Sequence, residues 1–379
     1  MSESLNLAFI GLSISSSWGN GHATTYRSLL RGLSRRGHRV QFFEKEQPWY
    51  ATHRDAPALP YCDIHLYEDL KDLRARFESS IAEADAVIVG SYVDDGRNVC
   101  DWVLEQARGV RAFYDIDTPV TLSALRTDVS PYLAAAHIPL FDLMLSFSGG
   151  ATLDRLTTTF GARRACALYC SVDTDEYRPT MRMRDVDLGY LGTYSADRQP
   201  GLRELLLQPA RSLPRQWFAV VGAQYPDSIA WPENLWRVGH LPPAKHAPFY
   251  GRQRFTLNLT RADMRAAGHS PSVRLFEAAA CGTPIVSDEW PGLADILVPG
   301  EQILIVHSSQ EVIGILTELS ESQRLQIARE ARERVLAEHS SAHRAAELER
   351  LLRSAQSVEA RPCLIRARNP DASLERAWV

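Results

Sequence analysis

Residues 268–288 read GHSPSVRLFEAAACGTPIVSD. Pro271, with its fixed φ and no N–H to leave unpaired, suits the first position of a helix, and Ser270 before it suits the N-cap. Val273, Phe276 and Ala280 recur at helical spacing. Gly282 and Pro284 then supply a stop before the apolar pair Ile285–Val286. The pattern predicts a loop, a short helix, a tight turn and a buried strand. The start of such a helix offers free backbone N–H groups and the positive end of its dipole, a place to hold phosphate. Roughly two turns further along, the helix carries a carboxylate, Glu277.

The chain around this stretch has 379 residues, too many for one ordinary α/β core, and predicts two domains. An apolar fraction of 45% with 23% charged residues belongs to a globular chain, and a formal charge of −4 gives no general attraction to nucleic acid. The six cysteines (Cys62, Cys100, Cys166, Cys170, Cys281 and Cys363) show neither C-x-x-C pairing nor metal-ligand spacing, so reduced, mostly buried thiols are expected. Glu3 and the early break of the apolar run from Leu5 fit neither a signal peptide nor a membrane span. The expectation is a cytoplasmic protein without a transmembrane segment.

Working outward to the N-terminus, Leu5–Leu12 is a nearly continuous apolar run, as in a strand buried on both faces of a parallel sheet. A loop of small residues with Gly19 and Gly21 follows. A helix is predicted over 22–36, with Ala23, Tyr26, Leu29, Leu30 and Leu33 on one face, and Gly37 closes it before a strand at Val40–Phe43. This β-α-β unit turns through glycines at the carboxyl end of its strand, where open α/β sheets bind ligands. The turn does not match G-x-G-x-x-G, and its glycines equally fit a tight turn without a ligand.

Strands at 85–90, 110–114, 143–147 and 166–169 and a helix at 99–107 continue the alternation of a parallel, doubly wound sheet. Residues 46–60, rich in Pro and aromatics, read as a loop over the cleft or a lid. A polar segment at 173–187 reads as an interdomain linker. A second α/β series follows, with strands at 188–192, 217–221, 235–238, 255–259 and 303–306 and helices at 202–211 and 244–251. From about Glu311 onward the spacing is helical, and the tail beyond Pro362 reads as irregular.

The two-domain plan, the stretch FEAAACGTP and the later GLADILVPG together resemble the retaining GT-B glycosyltransferases, close to glycosyltransferase family 4 and most similar to its CgeB-like, spore-maturation branch. The runs RRGHRV, YDIDTPVTL, LSFSGG, LGYLGTYSADRQP and LNLTRADM extend the resemblance over nearly the whole chain. It implies an α/β fold of two Rossmann-like, doubly wound domains facing an interdomain cleft: an acceptor domain at 1–178, a nucleotide-sugar domain at 179–340, and a C-terminal helix and tail at 341–379 that crosses back. It further implies transfer of a hexose from a nucleotide-sugar donor, expected to be UDP-linked, with retention of configuration. No metal, cofactor or nucleic-acid partner is implied, and the acceptor, a glycan, protein or small molecule, is left open.

In such enzymes two glutamates separated by seven residues mark the donor site. Glu277 matches the second, which implies a ribose contact, while His269 stands at the first. An imidazole can hydrogen-bond a sugar hydroxyl but supplies no carboxylate. A basic pair usually holds the diphosphate; Arg198 matches one member, and Arg274, Arg261 or the backbone of Ser270–Ser272 are expected to replace the other. Arginine suits this task through its permanent charge and forked donors. The resemblance thus assigns Asp117, His269 and Arg198 to catalysis. Donor contacts fall to Glu277, Arg274, Ser270, Ser272, Gly268, Arg261, Gly192 and His240. Gly19, Gly21, His22, Asp115, Thr118, Gly149 and Gly150 line the acceptor side.

Plainer readings exist for several of these. Arg274 and Glu277 are spaced for an i, i+3 ion pair, Arg198 also fits a solvated loop charge, His269 a helix-entry residue, and Asp117 the N-cap of a helix starting at Thr118-Pro119. Asp115-Ile-Asp117 has D-x-D spacing, but the spacing recurs at Asp173/Asp175 and Asp185/Asp187 and carries little weight as a metal motif. A nucleotide-sugar epimerase on the same fold and a glycosyltransferase-like binding protein without turnover are the competing functions.

Overall fold

The computed structural model describes residues 3–180 and 183–359. The first sheet has seven parallel strands: β1 (Asn6–Gly11), β2 (Arg39–Lys45), β3 (Asp63–Tyr67), β4 (Ala86–Gly90), β5 (Val110–Asp115), β6 (Leu143–Ser146) and β7 (Ala165–Ala167), in the order 3-2-1-4-5-6-7. The second has six, also parallel: β8 (Val186–Leu191), β9 (Phe218–Val221), β10 (Leu235–Val238), β11 (Gln253–Asn258), β12 (Ile285–Ser287) and β13 (Leu304–Ile305), in the order 10-9-8-11-12-13. Strand order reverses between β1 and β4 in one sheet and between β8 and β11 in the other, and ligands of open sheets bind beyond the carboxyl ends at such points.

The His22–Arg35 helix buries Ala23, Tyr26, Leu29, Leu30 and Leu33, the face foreseen from periodicity. Each leucine so buried contributes about 1.5–3 kcal/mol relative to exposure. Its outer side receives the Ser341–Glu359 helix so closely that a Cβ on Gly32 would stand 2.5 Å from Ser341 O. That C-terminal helix therefore packs on the first sheet's layer, and His38 and Arg36 both reach its Glu349. The chain crosses between the sheets at two adjacent places, with Val172 bridged to Ser340 and Ser341 N–H donating to Val172 O. One apolar cluster runs through both layers, from Leu7 and Phe9 by way of Leu168 to Leu275, Phe276, Leu348 and Leu352.

Two elements escape the sequence pattern. β3 is an edge strand, mostly half-buried, and the Leu70–Ala82 helix buries only Leu73 and Ile81, so neither carries a strong apolar period. The 46–60 segment holds a single short helix, Pro48–Ala51. Of the cysteines, Cys62, Cys100, Cys170 and Cys281 are buried free thiols and Cys166 is half-buried. Cys363 and the tail beyond Pro362 lie outside the described residues. Among the described residues no helix is long and apolar enough to cross a membrane.

Candidate active site

The opening helix starts later than its sequence suggests. It spans Val273–Ala280 with Ser272 at the N-cap, not Ser270, because the Ser270 hydroxyl is taken by Gly268 O (2.9 Å) and Ser148 Oγ (2.5 Å). Pro271 lies upstream of the helix rather than at its first position. The helix ends as foreseen: Gly282 adopts φ +69°, its N–H bonds Ala279 O and that of Thr283 bonds Ala278 O, closing the last carbonyls.

A cleft of about 570 Å³ opens between the carboxyl ends of the two sheets, within the range typical of ligand sites. Gly19, Gly21, His22 and Asp117 line it from the first sheet, and Gly192, Arg198, His240, Arg261, Ser270, Ser272, Arg274 and Glu277 from the second. These residues come from loops after β1, β5, β8, β10 and β11 and from the Val273–Ala280 helix, so the two switch points place them together.

Glu277 faces the cleft from the second half of this helix and is 3% exposed. Tyr250 donates to its Oε2 at 3.1 Å, His246 Nδ1 lies 3.8 Å from the same oxygen, and the Tyr177 hydroxyl sits 3.1 Å from His246 Nδ1. Burial raises the Glu277 carboxyl above its ordinary range, opposed by His246, Tyr177, Tyr250 and Arg274. Arg274 does not pair with Glu277. Its Nε donates to Leu191 O (2.6 Å), its Nη1 to Asn258 Oδ1 (2.8 Å), and its guanidinium lies over the Tyr190 ring. Ser272 bonds the same Asn258 oxygen, leaving no side-chain cap on the helix and no acidic residue in its first turn. At Gly192 a Cβ would stand 2.6 Å from Tyr190 Oη and 2.9 Å from Arg274 Nη2, so a side chain there would displace the arginine.

Arg198 is no free surface charge. Its Nη2 donates to Thr193 O at 2.7 Å, and its Nε is buried with no hydrogen-bond partner, at a cleft-lining position. His240 lines the same half, and burial lowers its pKa, with His246 adding to the effect.

Asp117 occupies the N-cap position of the Thr118–Leu125 helix but makes no side-chain cap bond. Its Oδ2 instead receives Tyr92 Oη (3.0 Å) and Arg261 Nη1 (3.4 Å). Tyr92, beyond the end of β4, holds an uncommon φ of +63° and packs its ring 5.3 Å from that of His22. The His22 Nδ1 is buried without a partner, and burial lowers the pKa of its ring.

Six assigned residues fall outside the lining. Asp115 and Thr118 form the floor beneath Asp117: Asp115 Oδ1 accepts from Thr121 Oγ1 (2.9 Å) and Asp117 N (3.1 Å), while Thr118 Oγ1 lies 2.7 Å from Ser146 Oγ. Burial pushes the Asp115 carboxyl up to about 7, so D-x-D does not present two carboxylates to the cleft. Gly149, Gly150, Gly268 and His269 form an interdomain joint. His269, at φ +45°, donates its N–H to Pro291 O and accepts from Gly149 N through its carbonyl. Its imidazole sits between Gly150 and Gly292, where added Cβ atoms would approach it to 2.5 and 2.3 Å, and its Nδ1 lies 3.4 Å from Asp295. The ring is thus held between the two layers, outside the cleft lining, with its side chain 34% exposed.

This placement has a measurable consequence. Gly292→Ala adds a methyl against the imidazole at a residue of φ +89° and is expected to cost about 1–3 kcal/mol in chemical denaturation. Adding His269→Ala should recover part of that loss, whereas His269→Ala alone should leave nucleotide affinity unchanged. A marked loss of affinity would return His269 to the donor site.

Tyr92, Tyr250 and His246 line the cleft, and Tyr177 stands behind His246, without having been foreseen. Only Tyr92 had a usable signal, its position just past the apolar strand DAVIVG.

A family model described as glycosyl transferase-like matches residues 198–350. No curated protein matches the sequence. Among solved structures, Anabaena HepE in complex with UDP-glucose superposes with a TM-score of 0.67 at 13% identity, covering 92% of this chain and 100% of that one. Sucrose-phosphate synthase from Thermosynechococcus elongatus gives 0.67 at 14%, covering 93% and 100%. An alpha-glucosyltransferase in complex with UDP-glucose and DNA containing an abasic site gives 0.72 at 11%, also over 93% and 100%. At such identities the likeness establishes the fold. The chain thus has the two-domain GT-B fold of these proteins, and its residues 198–350 match the glycosyl transferase-like family model.

Proposed function

We propose that this protein is a retaining, metal-independent glycosyltransferase that moves a hexose from a UDP-sugar to an acceptor hydroxyl. The supporting observation is the convergence of Arg198, Arg261, Arg274 and Glu277 on one wall of the cleft, opposite Asp117. The three arginines suit a diphosphate whose charge grows as the glycosidic bond breaks. Glu277 accepts from the ribose hydroxyls, and the apolar end at Val221, Leu241 and Pro243, with His240, takes the base. HepE and the alpha-glucosyltransferase are both solved with UDP-glucose, which favours uridine as the nucleoside.

On this reading residues 1–178 form the acceptor domain, 179–340 the donor domain, and the segment from 341 docks back on the first. The sequence runs RRGHRV, YDIDTPVTL and LSFSGG resemble most the CgeB-like branch, and support that assignment. In the reaction, the bond from the anomeric carbon to the β-phosphate oxygen breaks and the acceptor oxygen bonds the same face of that carbon. The acceptor proton passes to the departing diphosphate oxygen. Asp117, steadied by Tyr92, orients the acceptor hydroxyl.

Calorimetry with UDP, followed by incubation with UDP-hexoses in the presence of a chelator, tests this. Binding with metal-insensitive release of UDP is expected, and NMR of the product should show the donor's anomeric configuration. Formation of an epimeric UDP-sugar would favour an epimerase instead, and absence of UDP binding would sink the donor assignment.

A further inference from the structure

We infer that Arg261 and Asp117 form a latch across the cleft, which the donor's diphosphate must open before the acceptor can be seated. The inference rests on the donor reading above. Arg261 stands at the end of β11 and begins the short helix Ala262–Ala267, while Asp117 stands at the end of β5 and begins the helix Thr118–Leu125. Their side chains meet at Nη1–Oδ2, 3.4 Å, so an arginine of one wall neutralises the carboxylate of the other.

The geometry makes this pair exchangeable rather than permanent. It is a single-point contact, not a bidentate fork, and the Arg261 and Asp117 side chains remain 40% and 19% exposed. A half-exposed pair of this kind is weak. A diphosphate offers Arg261 more charge and several oxygens for its fork. Asp117 keeps a second partner when Arg261 leaves, because Tyr92 Oη donates to the same Oδ2 at 3.0 Å. Donor binding thereby frees the Asp117 carboxylate from its counter-ion, leaving it oriented by Tyr92 and open to a substrate hydroxyl. Two consequences follow: the donor works against the latch when it binds, and the acceptor binds second.

The test is UDP calorimetry on the full chain as wild type, Asp117→Asn, Arg261→Ala and the double variant. Asp117 makes no helix-capping bond, so its replacement removes the latch without removing a cap. Asp117→Asn is expected to tighten UDP binding by about two- to fivefold, the range of a partly exposed ion pair. Arg261→Ala should weaken it, and in that background Asp117→Asn should have no effect. Unchanged or weakened UDP binding by Asp117→Asn overturns the latch. Tightening that persists without Arg261 also overturns it, because simple repulsion between Asp117 and the diphosphate then explains the gain. A wild type that binds no UDP defeats the donor reading and the latch with it, an outcome distinct from failure of the latch alone.

Discussion

Arg198→Ala is expected to lower kcat by about 10²- to 10³-fold while leaving Tm close to wild type. The size follows from removing one preorganised donor aimed at charge that develops in the transition state. Arg198 is placed for this role because Thr193 O fixes one edge of its guanidinium while the residue lines the cleft. The fold gains little from that arrangement, since among the described residues the side chain's hydrogen bond is to a loop carbonyl, whereas a leaving diphosphate in the cleft would meet a full positive charge. Steady-state release of UDP from a UDP-hexose, beside a thermal melt, provides the measurement. An unchanged kcat would remove Arg198 from the reaction, and a large fall in Tm would recast it as a structural anchor.

Glu277→Ala is expected to weaken UDP binding by about ten- to a hundredfold, the equivalent of roughly 1.5–3 kcal/mol for hydrogen bonds to a charged group. Here stability and function pull in opposite directions. Burial raises the carboxyl's pKa in the folded protein, so the folded state holds that proton more tightly than the unfolded chain does. By linkage, this group's stabilising effect is fully present below its unfolded pKa and is lost as pH rises through the folded value. The fold therefore tolerates the protonated carboxyl better than the ionised one. Glu277→Gln should consequently keep or raise Tm at pH 7 while still weakening UDP, and calorimetry beside a melt separates the two. A glutamine variant that binds UDP as wild type does would show that no carboxylate charge is needed.

Much of this site was legible one residue at a time. Glu277 could be placed because helical spacing, a glycine stop and a following apolar strand leave it one possible setting. Gly192, Arg198 and Arg261 could be placed because they lie in the loops that follow apolar strands of a parallel sheet. Errors arose where a local motif had two physical uses. Asp115 and Thr118 share a strand end with Asp117, but only the side chain of Asp117 turns outward, since Asp115 is consumed by Thr121 and the Asp117 backbone. His269 occupies the glutamate's place in the count, yet glycines on both flanks, from two different layers, receive its ring. Nothing in the local sequence of residue 269 announces Gly150 or Gly292 as neighbours.

The sequence by itself determined the two parallel α/β layers, a short helix with a glycine exit at Gly282, and the carboxylate that helix bears. These follow from period, chain stops and backbone chemistry within a few residues. Only the tertiary structure decided that Ser270 braces Ser148 instead of capping the helix, that Tyr92 and Arg261 share Asp117, and that Tyr250, Tyr177 and His246 surround Glu277. Each of these contacts joins residues tens to more than a hundred positions apart. They arise from how two switch points face each other, which no local periodicity encodes.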